Sequence, residues 1–281
     1  MKLLKPLSAV SGAICAFLLS TSVTAETKEQ TLNENLPHYI GAAKLIVQDL
    51  PKTQTFYEDL FGMKEVKRYN YAPEVFEETI MSFGEGARLA LFAPNPKAEA
   101  PVPDSQYPVV LFYTPDFATI TAKVKELGYP IRVLANFPTM QVAITRDPSG
   151  NAVEIFGRKE SKMSVGGSKL IVRDRKEAEA FYTEVFGATV LQYLDSPDYD
   201  EVLLTIGKGP FLALFQPLKE EPLVKSKFPQ TAFYTTEFDA VVAKIEALGF
   251  GYRKVATQTE GLNIIIARDP SGNAIEIIEE K

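Results

Sequence analysis

Histidine, cysteine and tryptophan are nearly missing from this sequence of 281 residues, which has one histidine, one cysteine and no tryptophan. With His38 as the sole histidine, the sequence cannot supply the two or three imidazoles that many catalytic zinc or iron sites use. With Cys15 as the sole cysteine, no disulfide can form within this sequence. We interpret His38 as a solvated residue ahead of the first strand rather than as a metal ligand.

The first 25 residues have the pattern of a secretory signal peptide. Lys2 and Lys5 form a basic start, and a largely apolar run follows from about Leu7 to Leu19. Small residues at Val23–Ala25 then occupy the positions that a signal peptidase reads. A membrane anchor is the alternative, but the run is shorter than the roughly 20 apolar residues of a span. We therefore expect cleavage before Glu26 and a mature protein in the periplasm or secreted.

Basic residues are outnumbered by acidic ones, with 30 Lys and Arg against 36 Asp and Glu and a net charge of −6. Loss of Lys2 and Lys5 with the signal peptide would make the mature chain more acidic still. An acidic protein is repelled by the phosphates of nucleic acids and by anionic membrane surfaces. We therefore expect no nucleic-acid partner, and no membrane partner after signal cleavage.

A ten-residue segment from Arg146 to Ile155 recurs from Arg268 to Ile277, with only one Val-to-Ile difference. A repeat of this length indicates that the chain is a duplication. Asp-Pro favours a turn and the following glycine accepts a left-handed conformation, so the segment predicts a hairpin. Side chains alternate along a strand, so a glutamate, Glu154 or Glu276, is expected at the same point of each half.

Strand and helix patterns also repeat along both halves. The helical segment Phe56–Gly62, with Phe-Tyr near its start and Phe-Gly at its end, returns as Phe181–Gly187. Each half has the order β-α-β-β-β twice, which predicts an α+β fold. The expected domains are a flexible lead-in over 26–39, a first domain over 40–157, a linker over 158–165 and a second domain over 166–281.

Together, the Phe-Tyr-x-x-x-Phe-Gly helix and the Asp-Pro-Ser-Gly-Asn-x-x-Glu hairpin resemble motifs of the vicinal oxygen chelate superfamily. This superfamily includes glyoxalase I, bleomycin resistance proteins and extradiol dioxygenases, and the resemblance covers about residues 40–156 and 166–278. It implies two tandem glyoxalase-like domains, in which paired β-α-β-β-β modules form curved mixed sheets. Each curved sheet is expected to form a cup with helices on its outer face.

The same resemblance implies where metal ligands would lie, and this sequence departs from the pattern there. The family usually provides a His in the first strand, a Glu in the fourth in its glyoxalase branch, a His in the fifth and a Glu in the eighth. The corresponding residues here are Ala42, Ala90, Val109 and Glu154 in one half and Gly167, Ala213, Gln230 and Glu276 in the other. Alanine, glycine and valine offer no lone pair, so we expect no bound metal and no other cofactor.

Strand alternation indicates which side chains line the two cups. The candidate ligand-binding residues are Lys44, Arg88, Phe92, Tyr113, Gln141 and Glu154 in the first half, and Lys169, Arg173, Phe215, Gln230, Tyr234, Asn263 and Glu276 in the second. Aromatic walls with a few polar groups suit a small organic ligand. The simpler interpretation of the lysines and glutamates is that they pair with each other, since buried charges need partners. No residue is assigned a catalytic role.

Three functions are compatible with this pattern. The first, which we favour, is an exported, metal-independent protein that binds a small molecule. The second is a lyase, isomerase or dioxygenase of the same superfamily with a non-standard site. The third is an interaction module whose cups are filled by side chains. The sequence does not name the ligand or the oligomeric state.

Overall fold

The chain repeats one five-element unit, β-α-β-β-β, four times. The computed structural model describes residues 36–71, 76–95, 107–219, 226–257 and 259–281. The expected signal peptide and most of the expected lead-in lie outside these residues. Within the described residues, no helix is both long and apolar enough to span a membrane.

Modules 1 and 2 make up the first half of the chain. Module 1 consists of β1 (His38–Ile46), α1 (Leu50–Phe61), β2 (Lys64–Tyr71), β3 (Phe76–Ser82) and β4 (Arg88–Pro94). Module 2 consists of β5 (Val110–Thr114), α2 (Phe117–Glu126), β6 (Ile131–Phe137), β7 (Met140–Arg146) and β8 (Ala152–Gly157).

Modules 3 and 4 repeat this order in the second half. Module 3 consists of β9 (Ser164–Ile171), α3 (Arg175–Phe186), β10 (Thr189–Ser196), β11 (Tyr199–Thr205) and β12 (Phe211–Pro217). Module 4 consists of β13 (Thr231–Thr235), α4 (Phe238–Ala247), β14 (Tyr252–Lys254), β15 (Ile264–Arg268) and β16 (Ala274–Glu279).

The first helix of each half has clear start and stop signals in the sequence. Asp49 caps α1 by accepting a hydrogen bond from the Lys52 backbone N–H, and Gly62 ends the helix with a φ of 74°. Asp174 and Gly187 do the same for α3, where the φ of Gly187 is 64°. A left-handed residue after the last turn is the usual place for glycine, so these helix ends were predictable.

Two eight-stranded mixed sheets join modules from opposite halves of the chain. Sheet A has the order β14-β15-β16-β13-β1-β4-β3-β2, and sheet B has the order β10-β11-β12-β9-β5-β8-β7-β6. The central pairs, β1 with β13 and β5 with β9, are antiparallel, whereas β1 with β4 and β13 with β16 are parallel. The α+β class with tandem modules and curved mixed sheets is confirmed.

The expectation that each half lines its own cup is wrong, because each sheet combines one module from either half. The duplication explains why the sequence did not show this. The middle strands β5 and β13 both end in Phe-Tyr-Thr. Alternation along such strands fixes which face is buried, but near-identical strands do not reveal which one is the hydrogen-bonding partner.

The hydrophobic cores, in contrast, follow the halves. One core contains α1 and α2 with the strands of modules 1 and 2, and also Val165 of β9. The other contains α3 and α4 with the strands of modules 3 and 4, and also Ile40 of β1. The ring of Phe61 stacks on Phe112 at 4.4 Å between centroids, and Phe186 stacks on Phe233 at 4.3 Å. Helix packing therefore holds two modules of one half together, while strand pairing joins the halves.

The repeated hairpin is a clip that fastens the second module of each half to the first. Asp147 accepts hydrogen bonds from the Ser149 and Asn151 backbones and from the Tyr57 hydroxyl at 3.2 Å. The Asn151 amide donates to the carbonyl of Ile46 at the end of β1 over 3.0 Å. Tyr182, Asp269 and Asn273 repeat this arrangement in the second half.

The arginines beside the hairpins support these turns. Arg146 donates to the carbonyl of Gly150 over 2.6 Å, and Arg268 donates to the carbonyl of Gly272 over 3.0 Å. The conserved shape of the turn in both halves has a structural explanation, because Gly150 and Gly272 have positive φ angles of 94° and 85°. The repeat that exposed the duplication is therefore a structural element.

Candidate functional site

A cavity of about 150 Å³ lies over sheet A, on the face opposite the helices, and its residues come from modules 1 and 4. We call this cavity cup A. At its floor, the Lys44 ammonium donates a hydrogen bond to Glu276 Oε2 over 2.7 Å. The same ammonium lies 2.8 Å from Glu78 Oε1, an ion pair outside hydrogen-bond geometry. One buried cation therefore lies between a buried carboxylate, Glu78, and a partly buried one, Glu276.

The charges in cup A shift one another's protonation. Burial lowers the pKa of Lys44, but the charges of Glu276 and Glu78 outweigh burial, so this pKa lies above its ordinary value. Burial raises the pKa of Glu78, and the Lys44 charge only partly offsets this effect. At neutral pH the lysine is therefore firmly protonated, and Glu78 is the carboxylate that takes up a proton more readily than a free side chain.

A second cavity, of about 200 Å³, lies over sheet B and draws on modules 2 and 3. We call it cup B. Here the Lys169 ammonium lies 2.8 Å from Glu201 Oε1 and 3.7 Å from Glu154 Oε2. Burial raises the pKa of Glu154, while the Lys169 charge acts in the opposite direction. The two cups therefore repeat one cluster of a lysine and two glutamates.

Seven of the candidate residues meet in these cups, although not in the expected groups. Lys44, Arg88, Tyr234 and Glu276 line cup A, and Lys169, Tyr113 and Glu154 line cup B. The simpler interpretation, that the lysines and glutamates pair, is confirmed. The grouping by halves is wrong, because Lys44 pairs with Glu276 and Lys169 with Glu154.

Two aromatic candidates lie near the ammonium groups but do not line either cavity. Phe92 is 6.0 Å from the Lys44 ammonium, and Phe215 is 5.2 Å from the Lys169 ammonium, measured to the ring centroids. The negative faces of such rings attract a nearby cation. Phe92 also packs on Phe228, so its ring belongs to the support of the cup.

Four candidates lie outside both cups. Arg173 follows β9, and its guanidinium donates to the carbonyl of Pro270 at the surface. The Gln141 amide bonds Asn136, and the Asn263 amide bonds Glu279, both in exposed positions. Gln230 acts through its backbone carbonyl, which accepts from the Lys44 N–H over 2.8 Å. Arg173 and Asn263 lie just beyond the ends of β9 and β15, where alternation fails. Gln141 lies within β7 and pairs with Gly157, on the opposite face of the sheet from Glu154, so the placement of these three residues in the cups is wrong.

The second carboxylate of each cluster was missed. Glu78 lies in β3 and Glu201 in β11, and both are buried. The duplication could have revealed them. Glu78 and Glu201 have the same spacing in the sequence as Ala90 and Ala213, so they are equivalent residues of the two halves. Adjacent acidic residues, such as Glu77 and Asp200, made both strands look solvent-exposed and concealed this equivalence.

His38 is not the solvated residue that the sequence suggested. It begins β1, is buried, and its Nδ1 lies 2.7 Å from the Thr235 hydroxyl. The ring packs edge-on against Phe186, with 5.9 Å between centroids. Burial lowers the pKa of His38. It is a packing residue between the two halves and lies away from both cups.

Glycines let aromatic rings lie flat on the floors of the cups. A side chain at Gly41 would collide with the ring of Tyr234, and a Cβ at Gly166 would lie 2.5 Å from the ring of Tyr113. In cup B, a Cβ at Gly167 would also lie 2.5 Å from Phe211. The matching position in cup A is Ala42, which pairs with Arg88 instead.

The match to known proteins covers both halves. The family described as Glyoxalase/Bleomycin resistance protein/Dioxygenase superfamily matches residues 36–155 and 165–277. The chain belongs to this superfamily. No curated protein matches the sequence.

Solved structures of superfamily members resemble the whole chain. Glyoxalase I from Zea mays has a TM-score of 0.71 at 19% identity, over 86% of this chain and 92% of that chain. A putative dioxygenase from Bacillus subtilis has a TM-score of 0.66 at 16% identity, over 86% of this chain and 84% of that chain. At these identities the likeness shows the fold alone.

The superfamily implies a divalent metal, but the residues in neither cup fit one. In cup A, Ala42 and Ala90 offer no donor, and the remaining glutamate, Glu276, already binds an ammonium that would repel a cation. In cup B, the ring of Phe211 fills the space that a ligand at Gly167 would need. Among the described residues, no three His, Cys, Asp or Glu side chains are grouped as a metal site requires.

Proposed function

We propose that this protein is an exported, metal-independent member of its superfamily that binds a small organic molecule in its cups. The observation that carries the proposal is the lysine in each cup, Lys44 or Lys169, which pairs with the glutamate that the family uses as a metal ligand. An ammonium in this position supplies positive charge at the floor of the cup without a metal. The cavities above it support ligand binding, because aromatic and aliphatic walls surround a few polar groups.

Native mass spectrometry of the mature protein, purified without chelators, tests this proposal directly. We expect a mass without metal, and with a small organic molecule when one is retained. Metal analysis after dialysis should give far less than one equivalent of zinc, iron, nickel or manganese per chain. About one equivalent would contradict metal independence.

Glutamine variants separate a ligand role from a structural one. Glu276→Gln and Glu154→Gln keep the shape of the side chain and remove its charge. A role in binding predicts weaker ligand affinity with little change in melting temperature, because Glu78 or Glu201 still neutralises the lysine. Glu160→Gln is the matched control, since Glu160 is exposed in the segment that joins the halves. Unchanged affinity in both cup variants would overturn their assignment to the binding site.

Export is supported by the sequence of the first 25 residues, with its basic start and short apolar run. N-terminal sequencing of the protein recovered from the periplasm or the medium should begin at Glu26. Recovery of a chain that begins at Met1 would reject signal cleavage.

A superfamily enzyme with a non-standard site is the second candidate. Glu78 in cup A and Glu154 in cup B have raised pKa values through burial. Carboxyl groups of this kind can exchange protons with a bound substrate near neutral pH. Conversion of the retained molecule by the metal-free protein would favour the enzyme, and its recovery unchanged would favour the binding protein.

A further inference from the structure

We infer that the two cups accept different ligand classes: cup A an organic anion such as a carboxylate, and cup B an uncharged, mostly apolar molecule. The inference rests on the proposed function, that the cups bind small molecules. It is based on equivalent positions of the two cups, which carry charged residues in cup A and uncharged or apolar residues in cup B.

The clearest difference lies at the first residue of the strand beside β1 or β9. In sheet A this residue is Arg88, paired with Ala42, and in sheet B it is Phe211, paired with Gly167. The change is coupled across the two strands. The Phe211 ring covers the position of a side chain at residue 167, whereas Arg88 lies beside a residue that keeps its Cβ. In each cup, the residue on one strand therefore fits the size of its partner on the neighbouring strand.

The opposite wall of the cavity is also more basic in cup A than in cup B. Lys67 and Tyr69 line cup A, and the corresponding residues of cup B are Gln192 and Leu194. In cup A, the cations Lys44, Lys67 and Arg88 exceed the two carboxylates by one. In cup B, Lys169 stands against Glu154 and Glu201, so the carboxylates exceed the cation by one. A ligand anion would therefore be attracted to cup A and repelled by cup B.

Arg88 has the properties of an anion anchor. It is exposed, and its guanidinium makes no hydrogen bond or ion pair among the described residues. Its charge acts on the hydroxyls of Tyr69 and Tyr234, which line the same cavity. A guanidinium binds a carboxylate through two parallel hydrogen bonds, and this donor pair is available in cup A.

Cup A also opens into an outer cavity of about 710 Å³, and Tyr69, Arg88 and Tyr234 line both spaces. Lys208 contributes a further cation to the outer cavity. Glu279 accepts from Asn263 and Glu280 accepts from the Tyr39 hydroxyl, and both keep their charge, but Arg88, Lys208 and Lys281 outnumber them on this lining. An anion entering through this cavity meets Arg88 before it reaches the buried lysine.

Cup B has no counterpart of this anchor among its lining residues. Leucines at 191, 194 and 203 and the rings of Phe156 and Phe211 form its walls. Away from the floor cluster, the polar side chains on its lining include Gln192 and Ser168, and the Ser168 hydroxyl lies 2.6 Å from Thr231 Oγ1. Such a cavity favours a molecule that brings no charge to be desolvated.

Two probes of similar shape test this inference on the full mature chain. Benzoate is the anion and benzyl alcohol its uncharged counterpart, each titrated by calorimetry and by NMR with labelled tyrosines. Tyr234→Phe and Tyr113→Phe assign the signal that reports on each cup. We expect benzoate to shift the Tyr234 signal, more weakly at high salt, and benzyl alcohol to shift the Tyr113 signal.

The decisive variant is Arg88→Met, with Arg253→Met as the matched control. Arg253 is exposed in β14 of the same sheet and lines neither cup, so both variants change the net charge equally. Benzoate affinity should fall about tenfold or more in Arg88→Met, as expected for a lost charged hydrogen-bonding partner, and should be unchanged in Arg253→Met.

The outcomes separate this inference from the function on which it rests. Benzoate binding that survives Arg88→Met, or benzoate that prefers the Tyr113 signal, overturns the division between the cups and leaves small-molecule binding intact. If neither probe binds and native mass spectrometry finds no retained molecule, the proposed function fails together with the inference.

Discussion

Lys44 and Glu276 are 232 positions apart in the chain, and the lysine ammonium donates to the glutamate Oε2 over 2.7 Å. The bond joins the first module to the last across the middle of sheet A. Its counterpart is looser, since Lys169 and Glu154 are 3.7 Å apart and Lys169 lies closer to Glu201. The two clusters share residue types, but Lys44 is close to both of its carboxylates, whereas Lys169 is close to only one.

Replacement of Lys44 by methionine should strongly destabilise the protein at neutral pH. The buried Glu78 and the partly buried Glu276 would then be two neighbouring carboxylates without a cation. Breaking a buried ion pair costs about 3–5 kcal/mol. Carboxylates without a cation are costly in the fold only while they are charged, so the stability deficit should be largest at high pH and shrink as acid protonates them. Urea unfolding measured across this pH range checks the prediction.

Two further variants control the Lys44→Met experiment. Lys64→Met removes an exposed lysine at the start of β2 and should change stability by only about 0.5 kcal/mol or less. Adding Glu78→Gln and Glu276→Gln to Lys44→Met removes the uncompensated charges and should restore much of the loss. A deficit that does not depend on pH would contradict the electrostatic explanation.

Alanine at Gly41 should destabilise the fold, whereas alanine at Gly251 should not. A Cβ at Gly41 collides with the ring of Tyr234, and a Cβ at Gly251 meets no atom within 4 Å. Overpacking of this kind costs about 1–3 kcal/mol. Thermal unfolding measures both variants, and Tyr234→Leu combined with Gly41→Ala should recover stability. Equal melting temperatures for the two alanine variants would show that the ring moves away freely.

The hairpin clip should make stability depend on pH. Burial raises the pKa of Asp147 to about 6, against the hydrogen bonds from Asn151, Ser149 and Tyr57, which lower it. A raised carboxyl pKa stabilises the fold below the unfolded value near 4, and this contribution is lost as the pH rises through about 6. The change amounts to about 3 kcal/mol. In Asp147→Asn this pH dependence should disappear from the unfolding free energy, and its persistence would show that another group causes it.

Divalent cations should not stabilise this protein. A metal that binds the folded state raises the melting temperature in proportion to the logarithm of its concentration. With Lys44 and Lys169 already seated on the cup carboxylates, we expect no shift with added zinc or manganese and none with a chelator. A clear rise that Glu276→Gln abolishes would show that a metal displaces the Lys44 ammonium.

The sequence alone was sufficient to predict the helices and turns, because their ends are determined by residues close together in the chain. Asp49 and Gly62 mark the ends of α1, and Asp147 and Gly150 form the hairpin turn. Helix capping and turn geometry depend on neighbours in the chain, so residue type alone reveals them. The duplication then extended each assignment to the other half.

The residues that meet in each cup could not be predicted in the same way. Which side chains meet depends on which strands pair, and residue type does not reveal strand pairing. Lys44 was assigned to a cup, but its carboxylates came from β3 and from the last strand of the other half. Glu78 looked exposed beside Glu77, because a buried acidic residue in a strand is recognised only once its cation is known. Arg173 and Asn263 show the converse error, since alternation was extended past the ends of regular pairing.

The joining of the two halves in one chain has a consequence for symmetry. If a single half assembled as a two-fold dimer, each residue in one cup would have an identical copy in the other. In the fused chain, β4 and β12 vary independently, so an arginine at residue 88 and a phenylalanine at residue 211 can occupy matching places. One polypeptide then carries two cups in a fixed one-to-one ratio, and the residues of either cup can change without altering its twin.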